Sequence, residues 1–404
     1  MSTDTTRRKD RLPFALWALA GGFFGVGTGE FVMVGLLLNV AGDLKVSTSA
    51  AGLLVTDYAL GVVAGALLVA PSIRRLPRKT ALLVLMGLFV VGNLLCAVSL
   101  SYPMLMAARV ITGLAHAAFF GSSAIIATEL VSSGKKASAI AVIFTGVTLA
   151  NVIGVPLGTL IGQIFGWRLT YWTVTLLDLL AFISIVLLIP RTPQESVVSV
   201  QQEIRVVRRP QVLLAFAMTI FGQTSVVTVL TYIAPTLVKI TGINESSVSP
   251  ILLLFGIGFV VGNAIGGKLA DRSLMTSLLG ILSFLAVVLA GFTFTSHNPV
   301  LTLVTVFLFG AAAFGIVPCL QLRVVDKAKG APNLASAFNI ASFDQGNAGG
   351  AYLRSLVLSS PLELNAVPWV GGLVAAGGIT VAAFSWSLDN RHRSGAETAV
   401  QQKC

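Results

Sequence analysis

Ionisable side chains stand inside otherwise apolar stretches of this chain: Glu30, Asp57, Arg109, Asp178, Asp344 and Arg354, with His116 seven residues beyond Arg109. An ionisable group at the centre of a bilayer costs about 2.5 to 3.5 kcal/mol on insertion scales, so each needs a reason to be there. A carboxyl group in low dielectric favours its neutral form. Glu30 can therefore change protonation as its surroundings open and close, which is what a proton carrier requires. The alternative is a structural carboxylate hydrogen-bonded to a neighbouring helix. Arg109 cannot lose its proton, so it is expected to face a polar cavity or a carboxylate partner and not lipid, unless it is a buried centre of hydrogen bonds between helices. His116 falls two helical turns away on the same face, where it either lines the cavity or acts as a packing hydrogen-bonder. Asp57 and Asp344 are candidate second acids beside Glu30; equally, they could weaken coupling or face interfacial water. Asp344 and Arg354 share a side of one helix, too far apart to pair directly.

A second set of residues could bind a solute. Asn339, Phe343 and Asn347 recur at four-residue steps, one polar and aromatic stripe suited to a moderately polar molecule held by amides and stacked on a ring. Such stripes also serve as glue between helices. Phe120 and Asn151 are further cavity candidates. Around Asn151 the chain has Gly146, Gly154, Pro156, Gly158 and Gly162, glycines that let two backbones approach and a proline that bends the span.

The elements that position these groups are membrane helices. Hydrophobic residues make up 55% of the chain and charged ones 11%, against roughly 25% charged in an ordinary soluble domain. Apolar runs long enough to cross a hydrocarbon core fall near 13–38, 50–72, 80–99, 103–128, 137–163, 169–190, 211–238, 249–270, 275–295, 299–322, 333–359 and 366–387. Of 27 Lys and Arg residues, 22 lie in alternate gaps, while the intervening gaps hold only Lys45, Arg168 and Lys239. By the positive-inside rule both termini are expected in the cytoplasm. The first run is too long for a signal-peptide core and is expected to stay as an uncleaved helix.

The net charge of +11 follows topology and suits an anionic inner leaflet, so no nucleic-acid partner is expected. Cys96, Cys319 and Cys404 give neither a disulfide framework nor metal spacing. No nucleophile elbow, zinc spacing or phosphate loop is present, which argues against an enzyme and a nucleotide-driven pump alike. No metal and no cofactor are expected; energy would come from a gradient. The polar stretch from Pro190 to Pro210 divides the chain into six helices plus six. The predicted organisation is an N-terminal bundle over 1–190, a cytoplasmic linker over 191–210 and a C-terminal bundle over 211–404. The halves echo each other: Arg74, Arg75, Arg78 and Lys79 after the second helix match Gly267, Lys268, Asp271 and Arg272 after the eighth. In the second half Asp271 can bridge to a helix N-terminus and help close a gate, or these residues simply anchor topology. The first-half turn has no acidic counterpart to Asp271.

The chain resembles a major facilitator superfamily transporter, within the drug:proton antiporter branch that includes arabinose-efflux-permease-like bacterial inner-membrane proteins. The resemblance rests on Gly27-Thr-Gly-Glu30-Phe31, Arg109-Val-Ile-Thr-Gly113, Ala115-His116-Ala-Ala-Phe119-Phe120-Gly121, Leu149 to Gly158, Gly166-Trp167-Arg168, Gly267 to Arg272 and Gly346-Asn347. It implies an all-α membrane protein of twelve transmembrane helices in two six-helix pseudo-symmetric bundles that rock about a central site. It also implies proton coupling at Arg109 and Gly113, and an antiporter signature at Gly154, Pro156 and Gly158. Val155 and Thr159 depart from that signature, and Leu38 replaces a proline common after Gly35-Leu-Leu. The function so implied is proton-driven efflux of a small, partly polar molecule such as a drug or sugar, by a monomer in a lipid bilayer. Proton-coupled uptake of a sugar or nucleoside, or a transport-inactive receptor or scaffold, are the alternatives.

Overall fold

The computed structural model describes residues 13–73, 75–191, 200–230, 233–358 and 366–401. Helices follow one another as α1 (Phe14–Asp43), α2 (Thr48–Ile73), α3 (Arg78–Ala97), α4 (Tyr102–Glu129), α5 (Ser133–Phe165) and α6 (Trp167–Leu188). A short helix at Val200–Val207 leads to the second half. There follow α7 (Pro210–Leu230, continued by Ile233–Lys239), α8 (Glu245–Arg272), α9 (Leu274–Thr295), α10 (Pro299–Lys327), α11 (Pro332–Leu358) and α12 (Ala366–Gln401). Helices are the form that satisfies every backbone group within one segment of an apolar solvent. Among the described residues, eleven helices are long and apolar enough to cross a membrane. The twelfth, α11, is diluted by polar residues that turn inward: Ser336, Asn339 and Ser342 are all buried.

Local chemistry sets the ends. Asn298 caps α10, accepting from the amides of Val300 at 3.0 Å and Leu301 at 3.2 Å, with Pro299 in the first turn where no amide partner is needed. Gly166, at φ 95°, makes the break between α5 and α6 in a backbone conformation that a side chain would strain. Beside it Arg168 donates to Asp43 at 2.6 Å and to the Ser99 carbonyl at 2.9 Å, and the Trp167 indole donates to Asp43 at 3.1 Å. One cluster thus ties together the end of α1, the turn after α3 and the start of α6.

The halves repeat one packing scheme. In the first, α2 lies on α4, α1 on α5 and α6, and α3 on α4 and α6; in the second, α8 lies on α10, α7 on α11 and α12, and α9 on α10 and α12. Small residues make the tightest of these contacts possible, because helices in lipid associate by close van der Waals packing. A Cβ on Gly61 would come within 2.9 Å of the Val110 carbonyl oxygen, and one on Gly315 within 3.2 Å of the Gly262 oxygen. Between halves, α5 meets α8 and α10, and α11 meets α2 and α4.

Helix α5 is not continuous. Ala150–Gly154 is π-helical, directly before Pro156. Proline has no amide to give the Val152 carbonyl, and the widened turn absorbs that loss. The bend expected from Pro156 is this bulge. A Cβ on Gly158 would come within 2.8 Å of Val32 and 3.2 Å of Thr170, so the glycines admit α1 on one side and α6 on the other.

Candidate functional site

Three helices of the first half converge on Glu30. Its carboxylate lies 3.6 Å from Nδ1 of His116 on α4, and the two side chains are 15% and 5% exposed. His116 Nδ1 also shares a 2.9 Å hydrogen bond with the Tyr58 hydroxyl of α2. The Arg109 guanidinium stands 4.4 Å over the Tyr58 ring, a cation–π contact.

Of the two readings of Arg109, its hydrogen bonds match the centre between helices. It is 1% exposed. Nη1 donates to the Gly29 carbonyl at 2.8 Å, Nη2 to the Glu30 carbonyl at 3.3 Å and Nε to the Leu54 carbonyl at 3.3 Å. A guanidinium has several fixed donors and can stitch two backbones at once. It therefore pins α1 and α2 to α4 while keeping its charge within electrostatic reach of the Glu30 side chain.

The second half contributes Asp344, also within electrostatic reach of Glu30. Helices α4 and α11 run antiparallel and cross where Gly121 meets Ala337; a Cβ there would lie 2.7 Å from the Ala337 amide. At about 1.5 Å per residue, His116 and Asp344 sit roughly 7.5 and 10.5 Å from that crossing, on the same side of it and nearly level. Asp344 Oδ1 receives a long 3.4 Å contact from Asn347, whose own oxygen accepts from Gln223 of α7 at 2.7 Å. Asp344 Oδ2 is buried without a hydrogen-bond partner among the described residues. Asp57 precedes Tyr58, is half-buried, and likewise has one buried, unpartnered oxygen.

Other candidates take structural places. Phe120 is stacked on Phe23 at 3.8 Å between ring centres and touches His116 at 4.3 Å, closing the buried side of the cluster. Asn339 is fully buried, accepts from Thr219 at 2.7 Å and donates to Gln321 at 2.7 Å, while Gln321 bonds Ser336. It joins α7, α10 and α11 as glue, and the stripe divides there: Phe343 and Asn347 are half-buried one and two turns on. Asn151 donates to its own helix at Val147, 3.0 Å away, at the start of the π-helical turn. The Arg354 side chain and Arg74 lie outside the described residues. Among the described residues no group of three or more His, Cys, Asp or Glu could hold a metal ion.

At the basic end, which carries the Arg75 and Arg272 turns, Asp271 at the close of α8 accepts from the amides of Ala137 at 2.7 Å and Ser138 at 3.1 Å, and from the Ser138 hydroxyl. This is an anion on the first turn of α5, and it joins the halves. Gly267 stands four residues earlier, where a Cβ would come within 2.7 Å of the Ala141 methyl, and Asn263 donates to the Ala141 carbonyl at 2.6 Å. Arg272 and Arg75 are exposed. The first-half turn has no acid of its own, and Arg78 pairs instead with Glu129 from the end of α4. Sequence reasoning missed Tyr58, which only its place one residue after Asp57 inside an apolar run signals, and Asn263 and Ser138, ordinary polar residues with no spacing to mark them.

The sequence profile of the Major Facilitator Superfamily matches residues 19–351, and the chain belongs to that family. It is 40% identical over 365 residues to the inner membrane transport protein YdhP of Escherichia coli K12, covering 90% of this chain and 94% of that protein. It is 32% identical over 375 residues to a chloramphenicol resistance protein of Streptomyces lividans, covering 92% and 96%. The Escherichia coli fucose:proton symporter FucP superposes with a TM-score of 0.75 at 15% identity over 92% of this chain and 98% of that one. The proton:xylose symporter XylE gives 0.70 at 15% over 92% and 94%. The chain is a multi-pass membrane transporter of the major facilitator fold and not an enzyme.

Proposed function

We propose that the protein exports a small, partly polar molecule in exchange for protons across a bacterial inner membrane, with both termini in the cytoplasm. The observation that carries this reading is Glu30: a half-buried carboxyl at the meeting of α1, α2 and α4, in contact with His116 and beside an Arg109 whose donors are committed to backbone oxygens. Such a group can exchange a proton without being neutralised by a fixed partner. The similarity to a chloramphenicol resistance protein over most of both chains supports efflux.

In this mechanism the state with the basic end tied through Asp271 faces outward. A proton loads on Glu30, the Asp271 contact with α5 releases, and the bundles rock. Facing inward, Glu30 gives up its proton as substrate binds, and the fixed charge of Arg109 favours that exchange. A ligand drives the switch only through its different affinity for the two states. Proteoliposomes with an interior pH dye, challenged with amphenicols, sugars and nucleosides, test the direction. Substrate entering an acid-loaded vesicle is expected to make the interior more alkaline; acidification with substrate entry would overturn export in favour of symport.

A further inference from the structure

Asp178, on α6, has no part in the mechanism above. It is fully buried; Oδ2 accepts from the Asn93 amide of α3 at 2.7 Å, and Oδ1 has no hydrogen-bond partner among the described residues. Asn93 is 2% exposed. The surface facing this pair belongs to α1 and lacks side chains: a Cβ on Gly29 would lie 3.4 Å from both polar atoms of Asn93, and one on Gly25 would overlap Asp178 Oδ1. Gly25 and Gly29 are one turn apart, so acid and amide fill one shared groove.

That groove lies directly behind the proton site. The Gly29 carbonyl receives Arg109 Nη1 at 2.8 Å, and Glu30 is the next residue. Of the helices packed against α6, α1 carries Glu30 five residues after Gly25, α3 carries Cys96 three residues after Asn93, and the Val155–Phe165 part of α5 carries no ionisable residue; Tyr58 of α2 is within electrostatic reach of Asp178. An acid buried with one amide partner costs more than an apolar side chain of the same size would. Packing alone therefore does not account for it.

We propose that the Asp178 and Asn93 pair is the positioning element of the proton site, holding α1 in the register at which the Gly29 carbonyl meets Arg109 and Glu30 reaches His116. The inference rests on the reading of Glu30 as the proton carrier. Asp178→Ala, Asn93→Ala and the exchange N93D/D178N, which rebuilds the same hydrogen bond with its ends reversed, are compared with the parent in substrate-driven proton flux at a series of pH values. Each alanine variant is expected to move the pH midpoint of flux by about one unit, the size of shift that a neighbouring charge gives a carboxyl, and the exchange to bring it back. Alanine variants that melt earlier but keep the parent's midpoint, or an exchange that fails to restore it, would reduce the pair to ordinary packing and overturn the proposal. Glu30→Gln in the same series separates the two ideas, since flux surviving that change defeats the proton-site reading whatever Asp178 does.

Discussion

Replacing Asp271 by Ala removes the contact by which α8 holds the first turn of α5. Three acceptor contacts go at once: to the Ala137 amide, the Ser138 amide and the Ser138 hydroxyl. Hydrogen bonds to a charged group contribute about 1.5 to 3 kcal/mol net of exchange with water, but the three share one half-exposed carboxylate at a helix N-terminus and are not additive, so the loss is taken as that of one strong helix cap, about 2 kcal/mol. At about 1.4 kcal/mol per tenfold, the closed-to-open ratio at the basic end should fall roughly 30-fold. Ala141 reports on it, because its side chain is 4% exposed and packed against Gly267. In a background whose native cysteines are replaced, Ala141→Cys should react with an aqueous maleimide roughly 30 times faster when Asp271→Ala is added, if opening is rapid relative to labelling. Equal rates in the two backgrounds would refute the view that this cap holds the halves together.

Other consequences are smaller or more local. Asn339→Ala should cost about 2 kcal/mol by leaving Gln321 and Thr219 short of a buried partner, lowering the melting temperature while substrate affinity stays at the parent's value; lost affinity would return Asn339 to the cavity. Tyr58→Phe should cost about 1 kcal/mol for the hydrogen bond to His116 and reduce coupled proton flux, and flux unchanged from the parent would remove Tyr58 from the site. Gly158→Leu should destabilise by about 1 to 3 kcal/mol through overpacking against Val32 and Thr170, read by thermal unfolding; an unchanged melting point would show that α1 can move aside. Glu129→Gln should change stability by no more than about 1 kcal/mol, because Glu129 is 39% exposed and water screens its pair with Arg78.

The helices are legible in the sequence because hydrocarbon permits few alternatives: length, apolarity and alternating basic gaps leave little else for the chain to do. Even α11, whose polar residues take it below the apolarity of the other spans, is readable as the run 333–359. Which face each helix turns inward is harder to read. Arg109 looks from sequence like a partner for an acid, yet its acceptors are main-chain carbonyls, which every residue has and no motif marks. Glu129 and Arg78 meet although 51 positions separate them, since α4 returns to the end from which α3 starts. The amide stripe of α11 does not reveal that Asn339 points at α7 and α10 while Asn347 meets Gln223. Helical spacing fixes which residues share a face and is silent on what that face meets.

The central claim is that Glu30 carries the transported proton. Purified parent and Glu30→Gln proteins in proteoliposomes should be compared in two modes, substrate-driven proton flux and substrate counterflow with no pH gradient. Because Gln resembles the protonated carboxyl, which must give up its proton before substrate binds, Glu30→Gln should lose proton flux and substrate counterflow together while still unfolding at the parent's temperature. Proton flux at the parent's rate in Glu30→Gln would contradict the claim.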